Sequence, residues 1–234
     1  MKRLQLTILL SIFFILTLFF GTYAADNELL DRGLSYYQNQ EFVLASAHFE
    51  EAKKIDPQNS KIYFYLGNTY YQLNELDSAI VNYTQGLDYT DKKGHFFFNL
   101  GNCYFLKENY EFASEMYSQA ALYDSTIYDS YLNAGNAYYN TGDYAKTIIQ
   151  WETYLEKNPT TPQYKNIEKA IAYLREELER SIKDLEGTDK ETGLDEDLLE
   201  DVLKDLNGLL NRTRNVLETS EKPIDDLTSE GIER

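Results

Sequence analysis

An all-α solenoid of four helix-turn-helix repeats, closed by a C-terminal capping helix, is the fold that this sequence predicts. Three observations carry the prediction. Gly33, Gly67, Gly101 and Gly135 stand 34 residues apart, and a tyrosine follows each three positions on: Tyr36, Tyr70, Tyr104 and Tyr138. The same period carries Ala45, Ala79, Ala113 and Thr147, then the rings Phe49, Tyr83, Tyr117 and Trp151, then Ala52, Gly86, Ala120 and Tyr154, with no gap. Between these markers apolar residues recur at three- and four-residue spacing, the pattern of amphipathic helices. A fixed period of this size is the signature of a stacked-repeat architecture. The small residues let two helices approach closely, and the rings fill the space between them.

Residues 1–24 come first. Lys2 and Arg3 precede a mostly apolar run from Leu4 to Phe20, and small residues follow, with Thr22 and Ala24 two apart. A charged start, an apolar centre and a small-residue site make a signal peptide cleaved after Ala24 the first reading. A retained N-terminal anchor is the second, although the 17-residue run is slightly short for a bilayer span. No cysteine stands at the junction, so a lipoprotein has no support. On either reading the remainder is expected outside the cytoplasm.

The four repeats cover 26–161, as 26–59, 60–93, 94–127 and 128–161. Polar turns such as "NTGD" at 140–143 divide the two helices of a repeat, and Pro57 and Pro159 close the first and fourth. Thr147 and Tyr154 are bulkier than their counterparts in the other repeats. The outer side of the fourth repeat is therefore expected to meet a cap. Residues 162–186 supply one, a helix with Ile167, Ala170, Ile171, Leu174, Leu178, Ile182 and Leu185 on one face and charge on the other. Terminal units of solenoids need such a polar outer surface. Residues 187–193, "GTDKETG", read as a linker. Residues 194–217 read as an acidic amphipathic helix with Leu194, Leu198, Val202, Leu206, Leu209 and Leu210 on its apolar side. Residues 218–234 read as a flexible tail.

Charge narrows the partners. The chain has 22 basic and 39 acidic residues, a net charge of −17. From Asp184 to Arg234 the count is 16 acidic against 6 basic. Such a chain repels nucleic acid and anionic lipid, so no nucleic-acid partner is expected. Contact with a membrane is expected only through an uncleaved N-terminus. Basic or neutral protein partners fit better.

The chemistry-bearing residues point away from catalysis. Cys103, the single cysteine, stands two residues after Gly101, where the other repeats have Ser35, Thr69 and Ala137. The position takes a small, buried side chain, so a structural thiol is expected. His48 and His95 are the only histidines, and neither lies in a catalytic pattern. One cysteine and two histidines without ligand spacing make no zinc site. "DEDLLED" at 195–201 lacks the spacing of a calcium loop. No catalytic residue, metal site or cofactor is expected.

With its 34-residue period and its Gly-Tyr-Ala-aromatic-Ala order, the segment 26–161 resembles the tetratricopeptide repeat family. The resemblance implies a right-handed superhelix in which the first helices of successive repeats line a concave groove for a peptide or a helix. The residue after each repeat glycine then faces the groove: Leu34, Asn68, Asn102 and Asn136. Each Asn amide has both a donor and an acceptor, so the three form a ladder able to hold a peptide backbone. The positions four after the glycine, Tyr37, Tyr71, Phe105 and Tyr139, and three before it, Leu30, Phe64, Phe98 and Leu132, border the same groove. Tyr and Phe give large contact area at little entropy cost. The family's clamp for acidic C-termini uses Lys and Arg, and the matching positions here carry Leu30, Phe64 and Phe98. The resemblance thus implies a non-enzymatic scaffold whose partner is a protein or peptide of the envelope or membrane. With its signal-like start, the chain resembles exported bacterial tetratricopeptide proteins, including those of aerotolerance-type (Bat) operons. A membrane-tethered structural or self-assembling envelope protein, and a regulatory subunit of an envelope enzyme complex, are the alternatives.

Overall fold

The computed structural model describes residues 28–192, with side chains over 28–184. The expected leader, the 194–217 helix and the 218–234 tail lie outside the described residues. Nearly everything described is helical: α1 (28–38), α2 (Phe42–Ile55), α3 (Ser60–Gln72), α4 (Leu76–Gly86), α5 (Gly94–Leu106), α6 (Tyr110–Tyr123), α7 (Asp129–Thr141), α8 (Tyr144–Lys157) and α9 (Tyr164–Thr192). A short 3-10 turn, Leu87–Tyr89, extends α4. Two compact units divide the chain. The first holds residues up to 109 together with 122–124, and the second holds 110–121 together with the residues from 125 on.

Each hairpin turns in the same way. Gln40, Asn74, Glu108 and Gly142 all have positive φ, at 62°, 58°, 57° and 80°. They are again 34 residues apart. The N–H of each of these residues donates to the carbonyl three back, and the next N–H donates to the carbonyl five back, as in Asn74 N to Tyr71 O (3.0 Å) and Glu75 N to Tyr70 O (2.8 Å). This pair of bonds ends a helix on a left-handed residue and satisfies its last carbonyls. The chain then enters the second helix at once. Asp143 caps α8 with its side chain, accepting from Lys146 N at 3.1 Å.

In the first unit the core gathers Leu30, Ala45, Phe49, Ala52, Ile62 and Leu66, all buried. Gly33 and Gly67 face the rings 16 positions on. A Cβ on Gly33 would overlap the Phe49 ring, and one on Gly67 would overlap Tyr83. Phe49 and Tyr83 are fully buried, each worth about 1.5–3 kcal/mol of apolar burial. These glycines are present because a ring occupies the volume of their missing side chain. Gly86 makes the same allowance for the ring of Phe96.

The second unit repeats the device, with Gly135 against Trp151. Its core joins Ile148, Tyr154 and Leu155 of α8 to Ile167, Ile171 and Leu174 of α9. Thr147 is fully buried and Tyr154 nearly so. Inside this contact Arg175 of α9 pairs with the buried carboxylate of Glu152. Burial pushes Glu152 up to about 7, and the Arg175 charge pulls the other way. The linker expected at 187–193 is not there as such, because α9 continues through Thr192. An interior glycine costs a helix only about 1 kcal/mol relative to alanine, which the good helix formers around Gly187 offset. Among the described residues no helix is long and apolar enough to cross a membrane.

Candidate functional site

The first unit holds a cleft of about 310 Å³ built on α1, α3, α4 and α5. Its rings are Tyr37, Phe64, Tyr71 and Tyr83, and its amides are Asn68, Gln72, Asn99 and Asn102. None of these side chains is charged. Burial raises the phenols of Tyr37, Tyr71 and Tyr83 above the ordinary tyrosine value, so they stay neutral donors. Phe64 sits edge-on to Tyr83 (6.3 Å between centroids) and to Phe96 (5.2 Å), which holds the aromatic wall in place.

Five of the residues expected in a groove line this cleft: Tyr37, Phe64, Asn68, Tyr71 and Asn102. Phe98 and Phe105, both half-buried, are not among its lining residues. Asn136 and Tyr139 belong to the second unit. There Tyr139 stacks on Trp151 at 6.0 Å and is about half exposed.

The asparagines differ from the expected ladder in one respect. Asn68 Oδ1 accepts from Tyr83 Oη at 2.6 Å and from Asn99 Nδ2 at 2.9 Å. Both lone pairs of that oxygen are occupied, so Asn68 has no acceptor left for a bound peptide. Asn136 Oδ1 likewise accepts from Trp151 Nε1 at 3.1 Å. The physical reason is the packing ring: a buried phenol or indole needs an acceptor, and the residue after the glycine is the one in reach. Asn68 therefore positions a wall of the cleft and fixes Asn99, which sequence reasoning did not place there. Tyr83 and Gln72 are the other unforeseen members.

Cys103 is fully buried, and burial pushes its thiol up to about 12 against the pull of Lys107. A thiol so placed is protonated and has little nucleophilic character. Among the described residues no group of three or more His, Cys, Asp or Glu side chains is placed to hold a metal ion.

Comparison with known families assigns the repeat. A family model described as "TPR repeat" matches residues 33–74, and models described as "Tetratricopeptide repeat" match 60–92 and 129–161. Residues 33–92 and 129–161 thus match tetratricopeptide repeats. Solved structures agree on the fold. A tetratricopeptide repeat protein from Parabacteroides merdae ATCC 43184 is 17% identical with a TM-score of 0.60, over 84% of this chain and 78% of that one. The MamA protein is 16% identical with a TM-score of 0.59, over 86% and 97%. YrrB, described as a TPR protein with an unusual peptide-binding site, is 15% identical with a TM-score of 0.56, over 80% and 90%. No curated protein matches the chain. The fold class is thus the all-α tetratricopeptide solenoid, and such a fold supports a protein–protein interaction scaffold.

Proposed function

We propose that this protein is a non-enzymatic scaffold of the exported bacterial type, acting in the cell envelope. Its tetratricopeptide groove takes a peptide or helix of an envelope or membrane protein. The observation that carries the reading is the uncharged cleft of rings and amides in the first unit. Tyr37, Phe64 and Tyr71 supply contact area, and Gln72, Asn99 and Asn102 supply amides beside them. A concave site with an apolar body and a few polar groups is the general form of a recognition pocket. The name given to YrrB supports a peptide as occupant. The apolar run at 4–20 behind Lys2 and Arg3 supports export.

A photocrosslinking residue at Gln72, which is exposed and lines the cleft, tests the reading in living cells. Capture of one exported or membrane protein, lost when Phe64 is changed to Ala, is the expected result. Capture of cytoplasmic proteins only, or capture unaffected by Phe64→Ala, refutes it. Sequencing the native N-terminus tests export separately, with a start at Ala25 expected.

A further inference from the structure

The cleft of the first unit presents more hydrogen-bond donors than acceptors. Asn68 Oδ1 is used in full, by Tyr83 Oη at 2.6 Å and by Asn99 Nδ2 at 2.9 Å. What Asn68 keeps for a ligand is its Nδ2, which donates and does not accept. Tyr37 and Tyr71 line the same cleft. Among the described residues neither of their hydroxyls has a hydrogen-bond partner, and neither is sealed from solvent. On the acceptor side Asn99 keeps its Oδ1 and the exposed Gln72 keeps one amide oxygen, and no carboxylate lines the cleft.

The rings beside these groups are held by their neighbours. Tyr37 meets Phe42 at 5.5 Å and Tyr65 at 5.8 Å, both edge-on, and Phe64 meets Phe96 at 5.2 Å. The aromatic walls are therefore in place before a ligand arrives.

An ordinary extended segment brings one N–H for every C=O, and each N–H needs an acceptor. A run of prolines brings carbonyls alone. In the polyproline II helix those carbonyls make no internal bonds and face outward. Proline rings pack in aromatic-lined grooves, and little ordering remains to be done on binding. Such a run is also uncharged, as the lining side chains are.

We propose that the cleft takes a proline-rich segment of the partner, with its rings against Tyr37, Phe64 and Tyr71 and its carbonyls accepting from Asn68 Nδ2 and the two tyrosine hydroxyls. This rests on the peptide-scaffold reading and adds the chemistry of the bound segment. An acidic segment is disfavoured twice, because the lining has no cation and the chain has a net charge of −17.

Nuclear magnetic resonance titration of the protein, read at the side-chain amide signals of Asn68 and Asn99, tests the proposal. The probes are blocked hexaproline and a blocked Gly-Ser hexapeptide. Hexaproline is expected to shift these signals saturably and to bind at least about fivefold tighter than the Gly-Ser peptide, through its preordered backbone. Tyr37→Phe and Tyr71→Phe keep each ring and remove its hydroxyl. Each is expected to weaken hexaproline binding about fivefold, the scale of one hydrogen bond, with the melting temperature unchanged. Equal binding of the two peptides, no shift with hexaproline, or full affinity in both Phe variants overturns the proposal. A partner segment captured from position 72 that lacks proline also overturns it and leaves the scaffold reading standing. Hexaproline binding as expected, without any capture in cells, supports the proposal and counts against the scaffold reading alone.

Discussion

Gly67→Ala puts the packing logic of the repeat to a quantitative test. Two effects oppose each other. Replacing a mid-helix glycine by alanine stabilises α3 by about 1 kcal/mol through backbone entropy. The added methyl, however, would overlap the ring of Tyr83, which is fully buried. Overpacking of this kind costs about 1–3 kcal/mol. Displacing the ring also strains or breaks its 2.6 Å bond to Asn68, at about 1 kcal/mol for one buried hydrogen bond. The net expectation is a loss of about 2 kcal/mol, close to the middle of those terms. Urea unfolding followed by far-ultraviolet circular dichroism measures it, with an unchanged m value marking an effect on the native state. The double variant Gly67→Ala/Tyr83→Leu makes room for the methyl, so the alanine should cost less there by on the order of 1–2 kcal/mol of coupling. A Gly67→Ala protein as stable as the parent, or more stable, would show that the ring does not hold the glycine in place and would refute the reasoning.

Four further outcomes follow from the same structure. The Ser130 hydroxyl is fully buried without a hydrogen-bond partner, so Ser130→Ala should stabilise the protein by about 1 kcal/mol, read from the urea midpoint. Glu108 holds a φ of 57°, and Glu108→Gly should raise the thermal midpoint through a gain of about 1 kcal/mol. Glu152 titrates near 7 when folded against 4.5 for the free side chain. Its raised value adds stability that is complete below pH 4.5 and lost as pH rises through 7, on the order of 2–3 kcal/mol. Glu152→Gln should lack this component, so the stability difference between the two proteins should change with pH across that window and be flat above it. Cys103 should resist a thiol reagent in the native protein at pH 8 and react at once in denaturing urea, because burial keeps it protonated.

Much of the fold was legible because the repeat is written four times. The glycines, the rings 16 positions on and the cap residues Ile167, Ile171 and Leu174 all occupy the places that their spacing implied. The left-handed turn residues were equally periodic, but only Asn74 and Gly142 are types that favour a positive φ, and Gln40 and Glu108 give no such signal. The run of α9 through Gly187 was hidden because one glycine does not stop a helix that its neighbours favour. The bonding of Asn68 and Asn136 to the packing rings has a correlate in the sequence. Leu34 accompanies Phe49, whereas Asn68, Asn102 and Asn136 accompany Tyr83, Tyr117 and Trp151. Where the ring has no polar hydrogen, the residue after the glycine is apolar, and where it has one, an amide stands there. Asn99 could not be foreseen in the cleft, since its placement depends on how two repeats stack and not on the pattern within either.

The shared hairpin turn also governs how this sequence can change. Each turn uses a single left-handed residue and two backbone bonds, so it has no slack to absorb a missing or extra position. Losing one residue from α3 would rotate everything beyond it by about 100°. Asn68 would leave Tyr83, and Tyr71 would leave the cleft, although no side chain had been replaced. The repeats therefore behave like a text read in a fixed frame: spelling can drift, as Gln, Asn, Glu and Gly do at the turn, while the count of letters cannot.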